Sequence, residues 1–193
     1  MPHINYRDKQ LSFKIVYYGP GLSGKTTNLM YIHQALEKDR RGDIVVLDTA
    51  EERTLFFDFF PLELGRIEGY SVHFNMYTVP GQVYYEASRR LILEGADGVV
   101  FVADSHEGRM ADNVESFCML QTNLTSFGLD WQRFPLVLQY NKRDLVEVLP
   151  LGTLERELGL NGIPVLEAVA TAGTGVMETI RTVSRHVIQK FQL

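Results

Sequence analysis

Near its start the chain runs Gly19-Pro20-Gly21-Leu22-Ser23-Gly24-Lys25-Thr26, which matches G-x-x-x-x-G-K-[ST] at every fixed position. Ser12–Tyr18, rich in β-branched and aromatic residues, precedes it as a strand. A helical pattern from Thr26 to about Lys38 follows, with Leu29, Ile32 and Leu36 on one face. A glycine-rich turn between strand and helix is a cup for phosphate. Without side chains in the way, the backbone of Gly19, Gly21, Leu22, Ser23 and Gly24 can turn its N–H groups inward. The helix N-terminus adds partial positive charge. In this motif Lys25 reaches the β- and γ-phosphates, and the Thr26 hydroxyl binds Mg²⁺. A bare turn has no need of Lys and Thr at those two places.

The rest of the chain repeats that rhythm. Ile44–Leu47, Ser71–Tyr77, Gly98–Ala103, Leu136–Tyr140 and Pro164–Val169 read as further strands, six in all. Helices are expected at Ala87–Glu94, Asp112–Thr125, Leu151–Leu158 and Gly175–Gln192. Gly98–Ala103 is a continuous apolar run, the pattern of a strand buried on both faces. Val72, Phe74 and Met76 alternate to one side. The expected fold is α/β: a P-loop NTPase with a mostly parallel six-stranded sheet between two helical layers, in one domain over 1–193. Ligands of such sheets sit beyond the carboxyl ends of the strands, where the motifs fall.

The second motif is Asn141-Lys142-Arg143-Asp144, directly after the Leu136–Tyr140 strand. It fits the N-K-x-D guanine signature. The Asp144 carboxylate can accept from the N1–H and 2-amino groups of guanine, and adenine lacks both donors. Asn141 can serve the other base edge and tie the site to the phosphate loop. The stem of Lys142 can cover the ring face.

Composition narrows the field. The formal charge of −5 disfavours a sequence-blind grip on nucleic acid, which needs a basic face. No apolar stretch of about 18 residues is present. The N-terminus lacks a secretory core and a glycine after Met1, and the C-terminus carries no cysteine to prenylate, so no lipid anchor is expected. A cytoplasmic protein that meets membranes only through partners is expected. The single cysteine, Cys118, falls on a predicted helix and reads as a small core residue. His33, His73, His106 and His186 lack metal spacing and read as structural or surface groups.

With both motifs in place the chain resembles the Ras-like small GTPases over its full length. Thr78-Val79-Pro80-Gly81-Gln82 sits where those proteins carry D-x-x-G-Q. The resemblance implies that the Gly81 N–H bonds the γ-phosphate and that Gln82 orients the attacking water. Thr78 departs from the pattern. A hydroxyl is a poorer partner than a carboxylate for the water shell of magnesium, so Mg²⁺ is held more weakly or another acid compensates: Asp58, with Asp48 and Glu51 behind it. The departure is itself a signature. Together with Tyr17–Leu29 and Glu52–Phe59 it resembles the MglA-type bacterial small GTPases of gliding motility and cell polarity. The resemblance extends Thr26 to Thr27 in the phosphate loop. It also covers Leu166–Thr171, where it implies that the Ala170 N–H meets the guanine O6.

In the first switch Thr54 is the candidate to sense the γ-phosphate through Mg²⁺, with Thr49 as competitor. Arg53 beside it either swings in to neutralise the transferring phosphoryl or is a solvated charge. Leu55, Phe56, Phe57, Phe59 and Phe60 are core, or a partner surface that repacks between nucleotide states, and Tyr84 and Tyr85 share that ambiguity. The expected activity is a switch that binds GTP or GDP with Mg²⁺ and hydrolyses GTP slowly alone. The resemblance implies a roadblock-type, MglB-like activating partner, and polarity or motility effectors that recruit the GTP form to a cell pole. Thr78 keeps open a nucleotide-binding interaction module with little hydrolysis. An ATP-dependent kinase is disfavoured by Asn141–Asp144.

Overall fold

The computed structural model describes residues 3–36, 45–48, 54–81 and 85–192, the side chains of 45–48, 54–65 and 192 excepted. Its frame is a set of parallel strands: β2 (Gln10–Tyr18), β5 (Tyr70–Thr78), β6 (Gly98–Asp104), β7 (Leu136–Asn141) and β8 (Val165–Glu167). They run side by side in the order β5-β2-β6-β7-β8. Beyond β5 lie β4 (Thr54–Ile67) and β3 (Val45–Asp48), each antiparallel to its neighbour, and β1 (His3–Asn5) pairs antiparallel with β2. Among the described residues the sheet therefore has eight strands rather than six. The extra two are a three-residue hairpin arm at the start and a long strand that absorbs the Leu55–Phe60 run.

Alternation along the strands builds two cores. Val16 and Tyr18 of β2 and Val99, Phe101 and Ala103 of β6 point to one face. There they meet Ile92 and Leu93 of α2 (Glu86–Leu93), Phe117, Leu120 and Leu124 of α3 (Met110–Ser126), and Leu154 of α4 (Thr153–Leu158). Phe13, Ile15 and Tyr17 of β2, with Val72, Phe74 and Met76 of β5, point to the other. They meet Leu29 and Ile32 of α1 (Lys25–Ala35), and Ile180, Val183 and Val187 of α5 (Val176–Gln192). All seven residues of β6 are buried, as its unbroken apolar run requires. The result is a sheet between two helical layers, as expected.

Cys118 corrects its expectation: it is exposed. The inward face of α3 is set by Asn113, Phe117, Leu120 and Leu124, and position 118 falls on the opposite side of that 3.6-residue period. No helix among the described residues is long and apolar enough to cross a membrane. Gln82, Tyr84, Arg53, Glu51 and Thr49 lie outside the described residues, and Thr54, Asp58, Asp48 and the Leu55–Phe60 cluster are described in their backbone alone.

Candidate nucleotide site

The carboxyl ends of β2, β5, β6 and β7 open on one edge of the sheet. Register places Tyr17 beside Thr78 and Asp104 beside Asn141 at that edge. The loop from Gly19 to Gly24 leaves β2 there and delivers Lys25 as the first residue of α1. Gly24 has φ +97, and a Cβ on it would lie 2.2 Å from Asn141 Nδ2. Only glycine satisfies both the left-handed backbone and the close approach.

A loop that turns its N–H groups inward turns carbonyls outward, and each buried carbonyl needs a donor. Here the donors come from four side chains. Lys25 Nζ donates to Gly19 O (3.0 Å) and Pro20 O (2.6 Å). Asn141 Nδ2 donates to Ser23 O (2.8 Å), and Asn28 Nδ2 to Gly24 O (2.9 Å). Arg109 Nη2 donates to Gly21 O (2.8 Å). The cup is thus braced from behind by α1, by the base loop and by the turn before α3.

Lys25 is buried, and its ammonium is held low, at about 7, by loss of solvent first and then by the cations of Arg89, Arg109 and Lys142. An ammonium has three hydrogens, and two serve carbonyls. The third and the excess positive charge suit an anion. Opposite the cup, Gly81 closes against it: a Cβ there would lie 2.5 Å from both Gly21 Cα and Gly21 N. These features fit a nucleotide phosphate tail. Thr26 stands in the first turn of α1 and Thr78 is buried at the end of β5, so each offers a hydroxyl oxygen at this edge. Hydroxyl and phosphate oxygens are hard ligands of the kind Mg²⁺ takes. No group of three or more His, Cys, Asp or Glu able to hold a metal occurs among the described residues.

The base loop is stapled to the cup. Asn141, itself buried, bonds Ser23 O on one side and accepts the Ala170 N–H on the other (3.0 Å). The Ala170 N–H expected at the guanine O6 thus serves Asn141. Lys142, with φ +65, donates its Nζ to Asp104 Oδ2 (2.7 Å). Asp144, expected to select guanine, is exposed rather than buried. Below the loop, Tyr140 donates to Glu155 and accepts from Leu154 N (2.8 Å), fixing α4 to β7; burial and the Glu155 hydrogen bond push its hydroxyl up to about 12.

The structure thus gathers Gly19, Gly21, Leu22, Ser23, Gly24, Lys25, Thr26, Thr27, Gly81, Asn141, Lys142, Asp144 and Ala170 at one edge of the sheet. Sequence reasoning missed Asn28, Arg89, Asp104 and Arg109. Asp104 had a signal: it ends a buried strand where ligands gather. Arg109 had none, since it meets Gly21 from 88 positions away.

No family model matches the chain. Over 192 residues it is 48% identical to the mutual gliding-motility protein MglA of Myxococcus xanthus (strain DK1622), an alignment spanning 100% of this chain and 98% of that one.

Proposed function

The chain belongs to the MglA family of small GTPases, guanine-nucleotide-binding switches, and from that premise we propose a hydrolytic cycle housed in one domain over 1–193. One observation carries the reading: the base loop and the phosphate loop are joined by a single buried amide, Asn141, so base and phosphates are gripped by one connected body. Lys25 and the N–H groups of Gly19–Thr27 hold the phosphates of GTP or GDP. Asp144 selects guanine, Lys142 covers the ring, and Ala170 flanks its edge. Thr26 and Thr54 would hold Mg²⁺, which would supply neutralisation of phosphate charge. Gly81 approaches the γ-phosphate from β5. Gln82 orients the attacking water, and Arg53 steadies the charge on the transferred group.

Loss of the γ-phosphate releases the tethers at Thr54 and Gly81, and the segments around Arg53–Leu64 and Thr78–Ser88 report the change. Hydrolysis is slow alone and quickened by a roadblock-type, MglB-like partner. The gliding-motility relative supports a role in cell polarity or motility, with effectors that bring the GTP form to a cell pole. Phosphate release under single-turnover conditions, with and without a roadblock partner, tests this. Stimulated release of one phosphate per GTP is expected. Release no faster than that of GTP in buffer under both conditions would leave a binding module without turnover.

A further inference from the structure

Four donors brace the outward carbonyls of the phosphate loop, and two of them, Lys25 and Asn141, belong to the motifs. A third, Asn28, lies on the helix that the loop opens. The fourth, Arg109, comes from the turn before α3. We propose that Arg109 is a positioning residue of the nucleotide site: it holds the phosphate loop from outside and couples it, through Asp104, to the base-covering Lys142, so that both halves of the site loosen together when nucleotide leaves. The proposal rests on the guanine-nucleotide reading of this site.

The geometry is that of one planar fork serving several acceptors. Arg109 Nη2 lies 2.8 Å from Gly21 O, Nη1 lies 2.6 Å from Asp112 Oδ2, and Nε lies 3.7 Å from Asp104 Oδ2. The same Asp104 oxygen takes Lys142 Nζ at 2.7 Å. Asp104 is fixed from every side. Its side chain is 3% exposed, its Oδ1 accepts the His106 N–H (3.1 Å), and its backbone N–H and carbonyl both bond the Asn113 amide (3.0 and 2.9 Å). A buried carboxylate so held is a rigid post between two cations. Arg109 and Lys142 thus bear on one and the same fixed carboxylate oxygen.

A purely structural role for Arg109 fits less well. Its side chain is 34% exposed, and its partner Asp112 is 42% exposed, an ion pair of the kind that adds little to stability. What sets it apart is the charge-assisted bond to a loop carbonyl.

The test is release of fluorescently labelled GDP from the purified chain, chased with unlabelled GDP. Arg109→Ala is expected to speed release roughly tenfold, the size of one charge-assisted hydrogen bond. Its melting temperature without nucleotide should fall by no more than about 2 °C, as for a half-exposed ion pair. Arg109→Lys keeps the charge but cannot serve Gly21 and Asp104 at once, so it should release at a rate between the two. Asp104→Asn should also speed release, and adding it to Arg109→Ala should change the rate by less than about threefold, because neighbours in one network are not additive. Release by Arg109→Ala at the parental rate overturns the proposal. Full rescue by Arg109→Lys overturns the fork in favour of bare charge, and strictly multiplicative rates in the double variant overturn the link through Asp104. Should Arg109→Ala fail to fold, the Lys variant and Arg109→Gln decide the same way. A parental chain that binds no guanine nucleotide would instead sink the underlying reading.

Discussion

Asn141→Ala isolates the element that joins the two halves of the site. The side chain is buried and makes two hydrogen bonds, donating to Ser23 O at 2.8 Å and accepting from Ala170 N at 3.0 Å. Both partners are buried, with Ser23 at 0% and Ala170 at 4% exposure. Truncation therefore strands one carbonyl and one N–H away from water. Each orphaned group costs about 1–3 kcal/mol, so the variant should lose about 2–6 kcal/mol of folding stability. That is a large share of the roughly 5–15 kcal/mol typical of a domain. Urea unfolding of the nucleotide-free chain measures it: the midpoint should fall with the slope unchanged. Asn141→Asp keeps the bond from Ala170 but sets a carboxylate against the Ser23 carbonyl, and should also be destabilised. A loss below about 0.5 kcal/mol for Asn141→Ala, the range of an ordinary surface substitution, would refute the staple.

Gly81→Ala would place a methyl 2.5 Å from the Gly21 backbone, closer than the two segments can stand; calorimetry should show GTP-analogue affinity falling well beyond that for GDP. Lys25 is depressed to about 7 in the fold against 10.5 in the unfolded chain. The unfolded chain thus holds the extra proton between those values, and for this group the nucleotide-free fold gains stability as pH rises through that window. A bound phosphate favours the charged form, so GDP binding above pH 7 should take up a proton and weaken as pH rises, as titrations in buffers of different ionisation enthalpy would reveal. Arg53→Ala should leave GTP affinity near parental while partner-stimulated phosphate release drops by about 10³–10⁵.

The parts of this molecule that were legible in the sequence are those set by local chemistry. β6 is an unbroken apolar run, and a strand covered on both faces can be little else. Gly24, Lys25 and Asn141 were legible because backbone freedom, charge and amide geometry are needed at fixed offsets. β4 was hidden: it carries Pro61 and Gly65, its register slips between Glu63 and Gly65, and its apolar run does not alternate. β1 is three residues long, too short for alternation to show, and is placed by its pairing with β2 and the packing of Ile4. The reach of Arg109 to Gly21 is a product of tertiary packing, with no trace in the residues around either one. Cys118 misled because its expectation came from the usual burial of cysteine rather than from its place in the period of α3.

Two loops joined through Asn141 build the guanine site. Parallel calorimetric titrations of GDP and ADP into the purified chain test it most directly. Tight, saturable binding of GDP at one site per chain, with ADP weaker by orders of magnitude and the preference lost in Asp144→Ala, is the predicted result. Comparable affinities for the two nucleotides would contradict it.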